Sequence, residues 1–454
     1  MTALLGTSTR LYRRPMRAAA LAYRGAQHLL RALTPLLGGG GSKLARGLAG
    51  RRAAHGRLVA WAREHRDPDR PGLWLHAPSV GEGHQARAVQ QALERLLPTL
   101  QTAFTHFSPS AEAFAASMGA DVSDYLPWDL PDPVGEVLGA LQPDMIAFTK
   151  TEVWPVLVEE AAARDIPIAM VAGAVPPGAG RSRWLARKML GPTWHRLSLV
   201  CANTPADGEG FRALGVPDEV ILVTGDPGID SAAARARAAD PDASYLTPFR
   251  EDRRPTLVAG STWPADDAVL LPALEIIRPA VRDLRVVLAP HEPDFRQVDS
   301  LRATLESRGW TTAALEEVED TGDVSGVDAV VVDRVGVLAH LYTLGDVAYV
   351  GGGFHDAGLH SVLEPAAARV AVTFGPGHHN ARAARDLLAS GGASVVEDAE
   401  QLARVLQGWL LDGEARDYAG ECAFGYIERH LGAADRTAAL LADLFHPPSP
   451  TGGT

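Results

Sequence analysis

Two carboxylates stand where predicted strands end in the first half of the chain. Glu82 follows the strand-like run LWLHA and the turn after it, and Glu152 follows the run DMIAFT. Near the N-terminal amides of a helix, a carboxylate can accept the proton of a sugar hydroxyl. On position alone, stabilisation of the helix dipole is the more common role for Glu82. Two acids that follow neighbouring strands are less easily explained by helix capping, so the pair is a candidate acid–base site.

Three further titratable residues lie close to these acids in the sequence. His76 and His84 flank the first turn, and Lys150 precedes the second acid. In such positions each of these residue types more often packs or faces solvent than takes part in catalysis. Packing or surface roles are therefore favoured for the three over catalytic ones.

Loops in the second half of the chain carry groups that suit a nucleotide. Residues 260–262 follow the run TLVAG and offer backbone and hydroxyl donors to an anion at the next helix start. The three glycines at 351–353 allow a ligand close to the backbone. Ser361 can donate to a phosphate, and Glu364 can accept from a ribose diol or a base edge. The chain has neither the Walker lysine motif nor a GxGxxG fingerprint.

Apolar runs alternate with helical patterns in both halves, which predicts two parallel sheets covered by helices. The runs are LWLHA, DMIAFT, IPIAMVAG and LSLVCAN, and then TLVAGST, LRVVLAP, AVVVD, DVAYV, VAVTF and ASVVED. We expect an α/β fold of two doubly wound, Rossmann-like domains that face a cleft and bind ligands at the carboxyl ends of their strands. The predicted boundaries are 61–225 for the first domain, 226–254 for an Ala-, Asp- and Pro-rich linker, 255–420 for the second domain, 421–446 for a helix that crosses back and 447–454 for a disordered tail.

The composition is that of a globular protein with more than one core. At 454 residues the chain exceeds the usual size of a single domain, and its 46% of hydrophobic and 22% of charged residues are ordinary globular values. Cys201 and Cys422 are far apart in the sequence and lack metal-ligand spacing. This pattern predicts reduced thiols, a cytoplasmic compartment and no metal site.

The first 60 residues form a basic segment. Twelve Lys and Arg and no acid precede Glu64, whereas the rest of the chain carries 31 basic and 55 acidic residues. Arg10, Arg17, Arg24 and Arg31 recur every seven residues opposite apolar ones, which is the pattern of a basic amphipathic helix. These arginines interrupt every window long enough to cross a bilayer. We predict attachment to a membrane surface without insertion; packing of the segment on its own domain is the alternative.

Six motifs occur in one order: LWLHAPSVGEG, YLPWDLP, FTKTEVWP, VAGSTWPADD, APHEPDF and YVGGGFHDAGLHSVLEPAA. Their order and spacing, over about residues 73–398, resemble the Kdo (3-deoxy-D-manno-octulosonic acid) transferases of Gram-negative envelopes. The resemblance implies a GT-B architecture and an inverting transfer of Kdo from CMP-Kdo to a lipid A precursor in lipopolysaccharide biosynthesis, with no metal or other cofactor. We expect the protein to act at the cytoplasmic side of the inner membrane, to attach there peripherally through the basic segment, and to have no nucleic-acid partner.

The same resemblance implies roles for individual residues. Glu82 would be the general base on the acceptor hydroxyl, Glu152 a second carboxylate that supports the transition state, and Ser79 and Gly81 contacts of the acceptor. The resemblance implies a CMP pocket lined by Pro290, His291, Gly336, Val337, Leu338, Ser361, Val362, Leu363 and Glu364. The donor-binding residues predicted from their own position after strands are Gly260, Ser261, Thr262, Gly352 and Gly353.

The sequence departs from the family at three places. The family has Lys or Arg, assigned to charge in the transition state, in the segment that answers to TGDPGID, where this chain has Gly228. Arg181, Arg183 and Arg334 are candidates to replace that cation. Ser361 stands for the usual Asn and keeps a donor. The basic segment takes the place of a membrane-spanning start.

Two other functions remain open on these grounds. A transferase or epimerase of the same architecture could use another nucleotide sugar such as a UDP-sugar, although an epimerase has no need of a membrane-binding segment. A catalytically silent relative could bind CMP-Kdo or lipid as a scaffold, and Gly228 is the feature that favours it.

Overall fold

The computed structural model describes residues 21–34, 43–175 and 190–445. They form two compact units, which divide between Gly228 and Ile229 and again between Leu431 and Gly432. Each unit is built on a seven-stranded parallel sheet, so the prediction of an α/β fold with two parallel sheets is confirmed. Some of the residues considered above lie outside the described ranges: Arg10, Arg17, Arg181, Arg183 and the tail at 447–454.

The sheet of the first unit has the strand order β3-β2-β1-β4-β5-β6-β7. The order reverses between β1 and β4, which is where doubly wound sheets bind ligands. The strands are β1 Gly72–His76, β2 Gln101–His106, β3 Val122–Tyr125, β4 Met145–Thr149, β5 Ile168–Gly173, β6 Leu199–Ala202 and β7 Ile221–Val223.

Helices cover this sheet on both faces because every second residue of its inner strands points to the same side. In β1, for example, Trp74 joins one core cluster, whereas Leu73 and Leu75 join the other. The helices are α1 at 21–34, α2 Lys43–His65, α3 Val80–Leu96, α4 Glu112–Ala116, α5 Pro131–Leu141, α6 Pro155–Ala162, α7 at 190–194 and α8 Pro205–Leu214. Short 3-10 turns lie at Pro109–Ala111 and Asp218–Val220.

The sheet of the second unit has the order β10-β11-β9-β8-β12-β13-β14, with its reversal between β8 and β12. The segment predicted to be a linker holds two helices, α9 Pro227–Arg237 and α10 Thr247–Glu251, whose apolar residues pack in cores of this unit. The strands are β8 Thr256–Thr262, β9 Arg285–Pro290, β10 Thr312–Ala314, β11 Ala329–Val331, β12 Val347–Val350, β13 Ala371–Phe374 and β14 Ala393–Val395.

The remaining helices alternate with these strands and follow them. The helices are α11 Pro264–Ile277, α12 Phe295–Ser307, α13 Leu315–Thr321, α14 Leu338–Leu341, α15 Leu363–Ala367, α16 Arg382–Ser390, α17 Ala399–Leu411, α18 Gly413–His430 and α19 Ala433–Phe445, with a 3-10 turn at Tyr342–Leu344. The last of them, α19, belongs to the first unit. There its buried Ala434, Ala438 and Leu441 share a core cluster with Leu93 of α3. No helix in the described ranges combines the length and the apolar content needed to cross a bilayer.

Candidate active site

Glu82 lies in the first turn of α3, and both of its carboxylate oxygens have a partner. The hydroxyl of Ser79, the residue before the helix, donates to Oε2. The ammonium nitrogen of Lys150 lies 2.7 Å from Oε1. The Glu82 side chain is 15% exposed. The sequence favoured a packing or surface role for Lys150, whereas the structure places it in direct contact with the candidate base.

Glu152 lies beyond the end of β4 in a network of hydrogen bonds. The indole nitrogen of Trp154 donates to Oε1 over 3.1 Å, and Nε2 of His76 is 3.5 Å from the same oxygen. The fully buried His76 ring also contacts the hydroxyl of Thr105 through Nδ1 at 3.0 Å. His76 is thus a buried contact of the second acid, which the sequence pattern did not predict.

Arg51 is a buried cation close to this acid. Its guanidinium donates to the carbonyl oxygens of Leu126 and Pro127, both over 3.1 Å. The carbon at the centre of the guanidinium lies 4.9 Å from the ring centroid of Trp154 and 4.7 Å from that of Trp128. Burial lowers the pKa of Arg51 to about 10, against the attraction of nearby groups that include Glu152. The side chain still carries its charge at neutral pH.

Asp129 is a buried acid that interacts electrostatically with Arg51. Its carboxylate accepts from the amides of Val156 and Leu157 in the first turn of α6, at 3.0 and 2.8 Å. The hydroxyl of Tyr23 on α1 donates to it over 2.8 Å. Burial raises the pKa of Asp129. One carboxylate therefore joins α1 to the start of α6, three residues after Glu152.

Gly228 lies next to α3 and brings no charge there. Its amide donates to Oδ1 of Asp226 over 2.8 Å, and Nε2 of Gln85 donates to the same oxygen over 2.8 Å. A Cβ added at Gly228 would lie 3.4 Å from Cγ of Gln85, which stands one helical turn after Glu82. The position that lacks a cation is thus close to the helix that carries the candidate base.

In the second unit, the end of β8 and the loop after β12 lie against each other. A Cβ at Gly351 would collide with the backbone of Ser261, and one at Gly353 would come within 2.5 Å of the amide nitrogen of Gly375. Gly352 has a φ of 94° and Ser261 a φ of 56°. Packing of backbone on backbone therefore accounts for the glycines, and it brings two predicted donor-binding segments together.

The buried carboxylate of Asp266 holds this arrangement. It accepts from the amide of Trp263 at 2.9 Å, the amide of Gly352 at 2.8 Å and the hydroxyl of Tyr349 at 2.9 Å. The start of α11 is thereby joined to the glycine loop. Sequence reasoning missed Asp266, although an acid three residues after a helix boundary is a recognisable capping signal.

The other predicted donor-binding residues differ in how far they are buried. Thr262 and Val362 are buried in the protein interior, and Leu363 is partly buried against the same core cluster as Val362. Glu364 forms an ion pair with Arg235 of α9 and is 15% exposed. Pro290 is buried at the end of β9. The residues that are exposed or partly buried, at the ends of strands or near the starts of α14 and α15, are His291, Gly336, Val337, Leu338 and Ser361.

Three imidazole rings surround Trp263. His355 stacks on the indole with ring centroids 4.1 Å apart, and His291 does so at 4.7 Å. The indole N–H donates to Nε2 of His360 over 3.0 Å. Because an indole nitrogen can only donate, this Nε2 carries no proton. Burial lowers the pKa of His360 to about 4, with a further contribution from the two neighbouring histidines.

No group of His, Cys, Asp and Glu within the described ranges is arranged to hold a metal ion. What the first unit offers instead is two acids on the end of neighbouring strands, one of them paired with an ammonium group. The second unit offers the ring of Trp263 and the histidines stacked on it at the start of α11.

Comparison with known proteins identifies relatives of the chain. Residues 51–231 match the family model described as 3-deoxy-D-manno-octulosonic-acid transferase (kdotransferase). The 3-deoxy-D-manno-octulosonic acid transferase of Haemophilus influenzae is 27% identical over 82% of this chain and 87% of that protein. The enzyme of the same name from Bordetella pertussis is 29% identical, with the same two coverages. The resemblance predicted from the motifs is thereby confirmed.

Among solved structures, a putative UDP-N-acetylglucosamine 2-epimerase from Listeria monocytogenes has a similar fold. Its TM-score is 0.58 with 13% sequence identity, over 84% of this chain and 98% of that one. At that identity the likeness concerns the fold alone.

The cluster around Trp263 predicts a pH dependence of stability. His360 has a folded pKa of about 4 against 6.5 for a free imidazole, so the unfolded chain binds the extra proton first. Stability is therefore lost as the pH falls from about 6.5 to about 4, by up to ~1.4 kcal/mol per pH unit from this group. His360→Gln should show a smaller drop in melting temperature between pH 7 and pH 4.5 than the wild type. The exposed His28, changed to Gln, should leave the drop unchanged; an equal drop in His360→Gln would contradict the assignment.

Proposed function

We propose that this relative of the Kdo transferases moves Kdo from CMP-Kdo to a lipid A precursor with inversion at the anomeric carbon. The observation that carries the proposal is the placement of Glu82: a carboxylate at the start of α3, held by Ser79 and Lys150, inside the segment that matches the family model. A carboxylate fixed at both oxygens and still partly open to solvent is suited to receive a proton from a hydroxyl.

In the proposed reaction, Glu82 takes the proton of the acceptor hydroxyl. The freed oxygen bonds to the anomeric carbon of Kdo while the bond from that carbon to the CMP phosphate breaks, and its electron pair leaves with CMP. Positive charge develops on the sugar ring as that bond breaks. Glu152, oriented by Trp154 and His76, supplies a negative charge for that stage.

The second unit would hold CMP. The end of β8 at 260–262 and the loop at 351–353 meet at the reversal of the sheet, where ligands of doubly wound folds bind. Helix α11 begins at this edge directly after β8, and the positive end of its dipole suits an anion. Around it, the rings of Trp263 and His291 present flat surfaces for a sugar or a base.

Helix α1 supports the further proposal of peripheral attachment to the cytoplasmic side of the inner membrane. The residues that face the first unit are polar: Gln27 and Thr34 are buried, and Tyr23 bonds to Asp129. Its leucines point outward instead, with Leu29 at 61% and Leu30 at 44% exposure. A helix that turns polar residues inward and apolar ones outward, with arginines between them, suits an anionic lipid surface.

Product formation is the direct test. We expect the purified chain, given CMP-Kdo and tetra-acylated lipid A precursor, to yield a Kdo-bearing lipid by mass spectrometry. Glu82→Gln keeps the shape but cannot take the proton, so turnover should fall by about a hundred- to ten-thousandfold, while the melting temperature and CMP affinity stay near the wild type. Glu94→Gln, on the same helix, is the matched control and should retain turnover. Surviving turnover in Glu82→Gln would reduce this residue to a helix-start acid; a wild type that binds CMP-Kdo without product would indicate a scaffold.

The nucleotide is tested separately. Because the loops around Pro290, Gly336 and Ser361 match the family's CMP-binding segments, we expect calorimetric titration of the full chain to give tighter binding for CMP than for UMP. Equal or tighter binding of UMP would remove the reason for naming Kdo as the donor sugar and would favour a UDP-sugar enzyme.

Vesicle sedimentation tests the membrane face. Changing both Leu29 and Leu30 to Ser should weaken binding to vesicles of phosphatidylglycerol and phosphatidylethanolamine by about tenfold or more, since each buried leucine contributes about 1.5–3 kcal/mol. Added salt should weaken binding as well, because charges are screened over roughly 8 Å at physiological ionic strength. Leu411→Ser, equally exposed but in the second unit, is the control. Unchanged binding of the double variant would place the lipid contact elsewhere.

A further inference from the structure

The candidate base Glu82 is paired with a positive charge to which the sequence motifs gave no role. Lys150 follows β4 directly, and its ammonium group lies 2.7 Å from Oε1 of Glu82. The other oxygen of Glu82 accepts from Ser79. The Lys150 side chain is 45% exposed and the Glu82 side chain 15%. An ammonium group that is accessible and in contact with the base can act on a substrate hydroxyl brought to that base.

The backbone holds Lys150 in an unusual conformation. Its φ is 56°, in the left-handed region that costs free energy for a residue with a Cβ. The amide of Lys150 donates to the carbonyl of Val171 on β5 over 3.0 Å, so the sheet maintains this conformation. A strained backbone maintained by its surroundings is a common feature of functional sites. Here it turns the side chain from the strand end toward α3.

The choice of lysine is itself informative. The chain contains 40 arginines and only three lysines, at positions 43, 150 and 188. Arginine is a planar fork of five donors, whereas the lysine ammonium is a compact charge on a flexible stem. At a carboxylate whose second oxygen is already bonded to Ser79, a compact charge can contact one oxygen and leave room for a substrate.

The positions that could have supplied another cation do not do so within the described residues. Gly228 contributes only its amide, which donates to Asp226. Arg334 belongs to the second unit, where it lies 2.6 Å from Glu319. The buried Arg51 is enclosed by carbonyls and aromatic rings. Lys150 is the cation that contacts Glu82.

We propose that Lys150 is a positioning residue for the transfer, in an inference that rests on the proposed function. It fixes one oxygen of Glu82 so that the other side of the carboxylate faces the acceptor hydroxyl. As the proton passes from that hydroxyl to Glu82 and the oxygen bonds to the anomeric carbon, Lys150 stays protonated and its charge stabilises the developing negative charge on the oxygen. The leaving electron pair departs with the nucleotide, and no other reactant is needed.

Three variants of the full chain test this role. Lys150→Met removes the charge and should lower kcat by about a hundred- to a thousandfold, the range found when one electrostatic donor is removed from an active site, with the KM for the donor and the CMP affinity unchanged. Lys150→Arg should recover at least a tenth of the wild-type kcat. Arg95→Met removes a cation from the exposed ion pair with Asp435 and should leave kcat unchanged.

The decisive measurement is rescue from the neighbouring position. Gly228 is not among the residues with a positive φ. A Cβ added at this position would lie 3.4 Å from the side chain of Gln85 on α3. In the Lys150→Met background, Gly228→Lys should therefore restore kcat by at least about tenfold, which a purely structural role of Lys150 would not permit.

The outcomes separate the two proposals. A wild type that forms no Kdo-bearing lipid overturns the proposed function. An active wild type in which Lys150→Met stays within twofold, or in which neither Lys150→Arg nor Gly228→Lys restores a lost kcat, overturns only the role of Lys150.

Discussion

The parallel pairing of β1 with β4 is the constraint on which the candidate site depends. Their register places His76 beside Phe148, so both strands end at the same edge of the sheet. The segments that follow carry Glu82 from one strand and Lys150 and Glu152 from the other. Backbone hydrogen bonds set that register. Residues that follow the two strands therefore meet at one edge of the sheet, although they are far apart in the sequence. An ion pair of 2.7 Å between Lys150 and Glu82 could not form otherwise.

Buried charges stabilise the loop after β4. Arg51 and Asp129 would each be costly to bury alone. The guanidinium satisfies its donors on carbonyls and lies over aromatic rings, and the carboxylate accepts the free amides of α6. Tyr23 attaches α1 to the same carboxylate. Because polar contacts hold α1 in place, its leucines lie on the outer surface. The carboxylate of Asp129 contacts both α1 and the start of α6, which follows the loop that carries Glu152.

In the second unit, too, a buried carboxylate joins two segments of the chain. One carboxylate, that of Asp266, joins the helix start at Trp263 to the glycine loop at Gly352. Burial lowers the pKa of His360, and its Nε2 accepts from the indole N–H of Trp263. Arg235, a charged group of the same unit, is paired with Glu364.

The sequence by itself determined the two parallel sheets, because their inner strands are continuous apolar runs buried on both faces. It also indicated Glu82 and Glu152, since each acid comes shortly after the end of such a run. Other elements depended on tertiary structure. Strand β2 contains Gln101, Thr102 and Thr105, which are polar yet buried. Thr105 bonds with Trp74 and His76 of the neighbouring strand, and Gln101 donates to the carbonyl of His65. The partners of Lys150, Arg51 and Asp266 likewise lie in distant segments, and no local pattern distinguishes Lys150 from a surface lysine. Local patterns reflect burial and hydrogen bonding along one element, whereas the partner of a charged side chain is decided only when separate elements pack together.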